Sequence, residues 1–190
     1  MRRAFAGLAL LVASFTASAI DAEAVKAKAE TCAACHGPGG NSTDPQFPSL
    51  AAQVPTYVQL QIIQFREGRR SNPVMSPIAA NISDAEAKAL GEFFAAQPPK
   101  PPANPPAADR IAAGQAIAQR LHCNSCHLPT FAGQKHIPRI ASQHYDYLVK
   151  QLRGFKSGTQ PDIDGMMTES AQPLTDPDIV NVAAYLASLP

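Results

Sequence analysis

The chain has four cysteines, and they stand in two identical patterns. Cys32, Cys35 and His36 read as C-x-x-C-H, and Cys123, Cys126 and His127 repeat it. Three chemistries use two thiols at this spacing. A redox disulfide needs its C-x-x-C at a strand-to-helix turn of an α/β fold, and no convincing strand surrounds either motif. Structural zinc needs a fourth ligand, usually from a second motif nearby. Here the pairs lie 91 residues apart, and a zinc shared between them would leave both adjacent histidines idle.

Haem attachment accounts for every residue. Two thiols about one helical turn apart can each form a thioether to a vinyl group, and the next residue then lies beneath the ring with a nitrogen for the iron. The reading is two covalently bound haem c groups, held by Cys32 and Cys35 and by Cys123 and Cys126. His36 and His127 are the first axial ligands. An axial histidine is normally held by a hydrogen bond from its other ring nitrogen. Pro48 and Pro138, 12 and 11 residues further on, offer carbonyls for this.

The sixth iron position needs another strong ligand. Within residues 20–97 no histidine besides His36 is available, and Met75 is the only methionine. In the second half the choice is Met166 or Met167. Counting from His127 selects Met166, because Met75 lies 39 residues past His36. Counting back from the following helix cap selects Met167, eight residues before Thr175 as Met75 is eight before Ser83. The stretch after the methionine aligns without a gap, so Met167 is preferred and Met166 is the alternative. His122, His136 and His144 read as polar surface.

The elements that must position these groups are duplicated. "FPSLAAQVPTYVQLQIIQFREG" aligns with "IPRIASQHYDYLVKQLRGFKSG", with Gln53, Tyr57, Gln61 and Phe65 matching Gln143, Tyr147, Gln151 and Phe155, each 90 apart. Repetition at one spacing means one unit used twice. Each copy reads as three helices and loops. In the first, a helix runs into the cysteines, Pro55 opens a second, and Ser83 with Glu86 forms a capping box for a third. In the second, Asp109 caps the first helix, another spans Tyr145 to Lys156, and Thr175 with Asp178 caps the last. The domains are then residues 20–97 and 109–190, joined by a proline-rich linker, 98–108, whose prolines favour an extended run. Each unit is near the size where an apolar core alone is marginal, and a covalent haem would staple it.

The first 19 residues have Arg2 and Arg3, an apolar run, and Ala17-Ser18-Ala19. This reads as a signal peptide cleaved after Ala19, which makes the destination the periplasm. No later segment is long and apolar enough to span a bilayer, and peripheral membrane association stays open. Without Arg2 and Arg3, 14 basic residues stand against 15 acidic ones, a net charge of −1. That balance argues against a nucleic-acid partner. There is no glycine-rich phosphate loop and no paired-carboxylate site.

Two C-x-x-C-H units, each followed by Pro-x-[Leu/Ile]-Ala-x-Gln, a tyrosine-bearing helix, a methionine and a Ser/Thr-Asp helix cap, resemble the dihaem cytochrome c4 family. The resemblance covers essentially the whole chain past residue 19. It implies an all-α fold of two tandem class I cytochrome c domains related by a pseudo-twofold axis. It also implies His36 with Met75 and His127 with Met167 as iron ligands. The implied function is electron carriage between redox partners, from a quinol-cytochrome c reductase towards a terminal oxidase, without catalysis. The alternative is a dihaem electron-transfer subunit of a larger enzyme, with a flavoprotein partner in a sulfide dehydrogenase or a place in a thiosulfate-oxidising complex. A dihaem peroxidase would need one iron with a displaceable ligand.

Overall fold

The computed structural model describes residues 21–103 and 106–190. Residues 1–20, which include the expected signal peptide, and linker residues 104 and 105 lie outside them. The described residues are helical, with one isolated bridge between Gln134 and Ile137 and no strand.

The first half contains α1 (Ala22–His36), α2 (Pro55–Arg66), α3 (Met75–Ala79) and α4 (Asp84–Ala95). Alanine, lysine and glutamate dominate α1 and favour helix. The Asp21 side chain caps it by accepting from the Glu23 N–H at 3.2 Å. The helix runs unbroken through both cysteines to His36 and stops at Gly37, which has φ +76°. A Cβ on Gly37 would stand 2.0 Å from the Asn41 carbonyl oxygen, so only glycine allows the sharp exit beneath the motif. Pro55 is the first residue of α2, and the Ser83–Glu86 capping box opens α4.

The second half contains α5 (Ala108–Arg120), α6 (Cys123–His127), α7 (Tyr145–Ser157), α8 (Met166–Ala171) and α9 (Asp176–Ser188), whose capping box is Thr175 with Asp178. Two expectations need correction. Asp109 does not cap α5: Ala107 occupies that position without a side-chain bond, and Asp109 lies in the first turn, where a carboxylate faces the positive end of the helix. Nor are there only three helices per half. Each methionine loop holds a short helix, and the helix leading to the second motif breaks at Leu121 and His122, with His122 at φ +54°.

The break has a simple origin. Ala29 and Ala118 are both buried on the leading helices, but Ala29 precedes its first cysteine by three residues and Ala118 by five. The two extra residues form the turn. Upstream of it, α5 crosses α9 at close range: a Cβ on Gly114 would lie 1.9 Å from the Asn181 carbonyl oxygen.

Each half has its own core. Val58, Ile62, Phe65, Leu90 and Phe94 form the first, and Leu148, Leu152, Ile179, Val182 and Leu186 the second. Full burial of such a side chain is worth about 1.5–3 kcal/mol.

The halves join through reciprocal bonds. The Gln53 amide donates to Arg139 O (2.9 Å) and accepts from Arg139 N–H (2.7 Å). The Gln143 amide donates to Ser49 O and accepts from Ser49 N–H, both at 2.9 Å. Gln53 and Gln143 are repeat equivalents, as are Ser49 and Arg139, each 90 residues apart. The contact is therefore self-complementary, the mark of a twofold relation. The linker starts against the first half, where Asn41 holds Pro98 O at 3.1 Å and the Lys100 N–H at 2.7 Å.

Candidate haem-binding sites

Both motifs are built alike. Cys32 and Cys35 occupy the last turn of α1, and Cys123 and Cys126 occupy α6. All four are free of disulfide bonds. Cys32 and Cys123 are half-buried and pack against the core of their own half. Burial pushes both thiols up, so they stand as neutral S–H groups.

The histidines carry the clearest geometry. His36 is 6% exposed and His127 5%. The Nδ1 of His36 lies 2.8 Å from Pro48 O, and that of His127 lies 2.9 Å from Pro138 O. A carbonyl oxygen only accepts, so each Nδ1 carries the proton. Each Nε2 then keeps its lone pair for a metal. Burial lowers both imidazoles, opposed by the proline carbonyls, which favours the neutral, ligating form.

Met75 opens α3, and its N–H donates to the Asn72 side chain at 2.9 Å. It is half-buried and packs against the same core as Cys32. Met167 is half-buried and packs against the same core as Cys123. Met166 is 52% exposed, and its N–H donates to Asp164 at 3.2 Å. The fully buried Ala79 and Ala171 lie four residues past Met75 and Met167 respectively.

The remaining histidines separate. His122 is exposed, and His136 meets Asp164 at 3.1 Å on the surface. His144 departs from the surface expectation. It is 6% exposed, and its Nε2 lies 2.9 Å from Ser42 O in the first half. Its burial depends on the opposite half, which no local pattern reveals. Among the described residues no three His, Cys, Asp or Glu side chains converge as a conventional metal cluster.

The residues therefore fit haem on chemical grounds. Each half offers two thiols on one helical turn, a buried neutral imidazole with Nε2 free, and a half-buried thioether on the same apolar core. Two all-helical units of this kind, packed about a pseudo-twofold axis, define a dihaem c-type cytochrome of tandem class I domains, an electron-transfer protein with two covalently bound haem c groups. Comparison with known proteins agrees. The family described as cytochrome c matches residues 111–190, and that described as cytochrome c oxidase, cbb3-type, subunit III, matches residues 19–94.

The chain belongs to the cytochrome c4 family. It is 36% identical over 181 residues to cytochrome c4 of Thiocapsa roseopersicina, covering 89% of this chain and 93% of that one. It is 32% identical over 204 residues to a thiosulfate dehydrogenase electron acceptor of Stutzerimonas stutzeri, covering 97% and 93%. The crystal structure of reduced cytochrome c4 from Pseudomonas stutzeri superposes with a TM-score of 0.80 at 31% identity, covering 89% of this chain and 98% of that chain.

Proposed function

We propose that this chain is a periplasmic, non-catalytic carrier that takes electrons from a quinol-cytochrome c reductase and passes them towards a terminal oxidase. Bound haem supplies one-electron chemistry. The protein's part is to hold each iron between two side chains, His36 with Met75 and His127 with Met167, and to attach the rings through Cys32, Cys35, Cys123 and Cys126. The observation that supports this reading is that each half holds a buried histidine with Nε2 free and a half-buried methionine packed on the same core as the first cysteine of its motif. Two strong axial ligands leave no position for a substrate, and thioether ligation raises the potential. The export segment 1–19 supports the periplasmic location, with domains at 20–97 and 109–190 and the linker at 98–108. Among the described residues no helix is long and apolar enough to cross a membrane.

A second reading has specific support. The similarity to the Stutzerimonas stutzeri electron acceptor favours a role beside an oxidising enzyme, as the dihaem partner of a thiosulfate- or sulfide-oxidising protein. Stopped-flow mixing of the exported protein separates the two. Fast reduction by quinol-cytochrome c reductase and fast oxidation by a terminal oxidase support the carrier. A salt-resistant complex with one dehydrogenase, and no turnover with either respiratory partner, would replace it with the subunit.

A further inference from the structure

The two carbonyls that hold the axial histidines each belong to a peptide group whose other end is held by the opposite half. The Pro48–Ser49 peptide accepts from His36 Nδ1 at 2.8 Å through its oxygen and donates its N–H, from Ser49, to Gln143 Oε1 at 2.9 Å. The Pro138–Arg139 peptide repeats the arrangement. Its oxygen accepts from His127 Nδ1 at 2.9 Å, and the Arg139 N–H donates to Gln53 Oε1 at 2.7 Å. Each chain of bonds therefore starts on a glutamine of one half and ends on the histidine of the other.

Neither peptide bond is cis, so the N–H and C=O of each group point to opposite sides of one conjugated plane. A donating N–H draws charge along that plane and makes the carbonyl a stronger acceptor. Hydrogen bonds in such chains strengthen one another by about 10–30% each. Both histidines and both glutamines are buried, which limits water as a substitute partner.

The orientation of each glutamine amide is fixed by its other bonds. Gln143 Oε1 also takes the His144 N–H, and Gln53 Oε1 takes the Val54 N–H. Their nitrogens face the carbonyls of Ser49 and Arg139. A flipped amide would set its NH2 against two N–H donors, so the oxygen must face the bridging peptide.

The arrangement has one asymmetry. His144 Nε2 lies 2.9 Å from Ser42 O, which only accepts, so Nε2 donates. Ser42 and Ser49 bracket Pro48 in sequence, and the second half therefore holds the first histidine's loop at two points. The repeat equivalent of His144 is Val54, 90 residues earlier, whose side chain has no polar group.

We propose that Gln53 and Gln143 are positioning residues acting across the boundary: each half tunes the axial histidine of the other through the bridging peptide, with His144 adding a second hold on the first. This rests on His36 and His127 as iron ligands and not on which partners the protein serves. A partner that accepts from the second nitrogen of a ligating histidine raises its basicity, and a more basic ligand favours oxidised iron. Removing a glutamine weakens that bond, so the potential of the haem in the opposite half rises.

The test is a redox titration followed by NMR on holoprotein labelled with nitrogen-15 histidine. The Nδ1–H signals of His36 and His127, assigned through their contacts to Pro48 and Pro138, report each reduced haem separately. Gln143→Leu should raise the potential at His36 and leave His127 unchanged, and Gln53→Leu should do the converse. The shift in redox equilibrium should reach at most about tenfold, the lower end of the roughly 10–100-fold cost of losing such a partner outright. His144→Val should shift His36 alone. A shift confined to the variant's own half, equal shifts in both haems, or no shift would reduce the glutamines to a clasp and overturn the proposal. A measurement on the wild-type holoprotein stands if the variants do not fold. The His36 Nδ1–H should exchange with solvent in step with the Ser49 N–H, and the His127 Nδ1–H in step with the Arg139 N–H. An Nδ1–H that exchanges only on global unfolding, while its Ser49 or Arg139 partner exchanges freely, would also overturn the proposal. Wild-type spectra without a histidine-ligated haem would overturn the ligand reading itself, before any variant is compared.

Discussion

Replacing Gln53 by alanine should loosen the molecule at one definable place. The side chain is 5% exposed, and its amide makes three hydrogen bonds: to Arg139 O, from Arg139 N–H and from Val54 N–H, at 2.9, 2.7 and 2.9 Å. Truncation strands buried backbone groups on both halves. Each orphaned group costs about 1–3 kcal/mol, and entering water recovers part of it, so the expected loss is about 2–4 kcal/mol. For a protein of this size each kcal/mol moves the thermal midpoint by about 2–4 °C, which gives a fall of roughly 4–16 °C. The twofold relation makes a sharper demand. Gln143 makes the same set of bonds, to Ser49 O, from Ser49 N–H and from His144 N–H, so Gln143→Ala should cost the same. The double variant should then unfold in two steps, one for each separately cored half, when urea denaturation is followed by haem absorbance. A single transition within about 0.5 kcal/mol of wild type would refute the idea that these glutamines clasp the halves.

Three other outcomes follow. Met167→Ala should remove half of the sulfur-to-iron charge-transfer absorption, as should Met75→Ala. The exposed Met166→Ala should leave absorption intact and stability within about 0.5 kcal/mol, and the reverse result would transfer the ligand role to Met166. The Lys28 ammonium, with Ser83, holds Glu86 at about 2 instead of its ordinary 4.5. A depressed carboxylate contributes stability that is present above 4.5 and lost as pH falls towards 2, so Glu86→Gln should flatten acid unfolding over that window. An unchanged acid limb would show that the Lys28–Glu86 pair does not hold α1 to α4. Pro48→Ala should change little at the histidine, because the carbonyl that holds His36 belongs to the backbone, and a large fall in the first haem's potential would contradict that.

What could be read from the residues alone was whatever local chemistry determines. The C-x-x-C-H patterns, the capping boxes at Ser83 and Thr175, Pro55 at a helix start and the 90-residue repeat are each properties of a few neighbouring side chains. The all-helical tandem fold followed from them. The distance from His36 to Pro48 is short enough in sequence for its carbonyl to be a natural partner, and the structure has that bond. What stayed hidden depends on the opposite half. His144 looks like any surface histidine until Ser42 of the first half covers it. Gln53 and Gln143 were visible as repeat landmarks, but their amides acquire a role only when the halves meet. The break at Leu121 and His122 carries no glycine or proline, and the two-residue insertion shows only when Ala29 and Ala118 are seen to pack alike. Asp109 has the right chemistry for a cap, but the cap position lies two residues earlier, at Ala107.

The central claim is two haems, each held between a histidine and a methionine, in a protein that moves electrons one at a time. A potentiometric titration of the holoprotein, followed in the sulfur-to-iron charge-transfer band of the oxidised state, tests it most directly. The account predicts two one-electron steps, each removing about half of the band. A single step, or a step in which a haem is reduced without loss of the band, would contradict it.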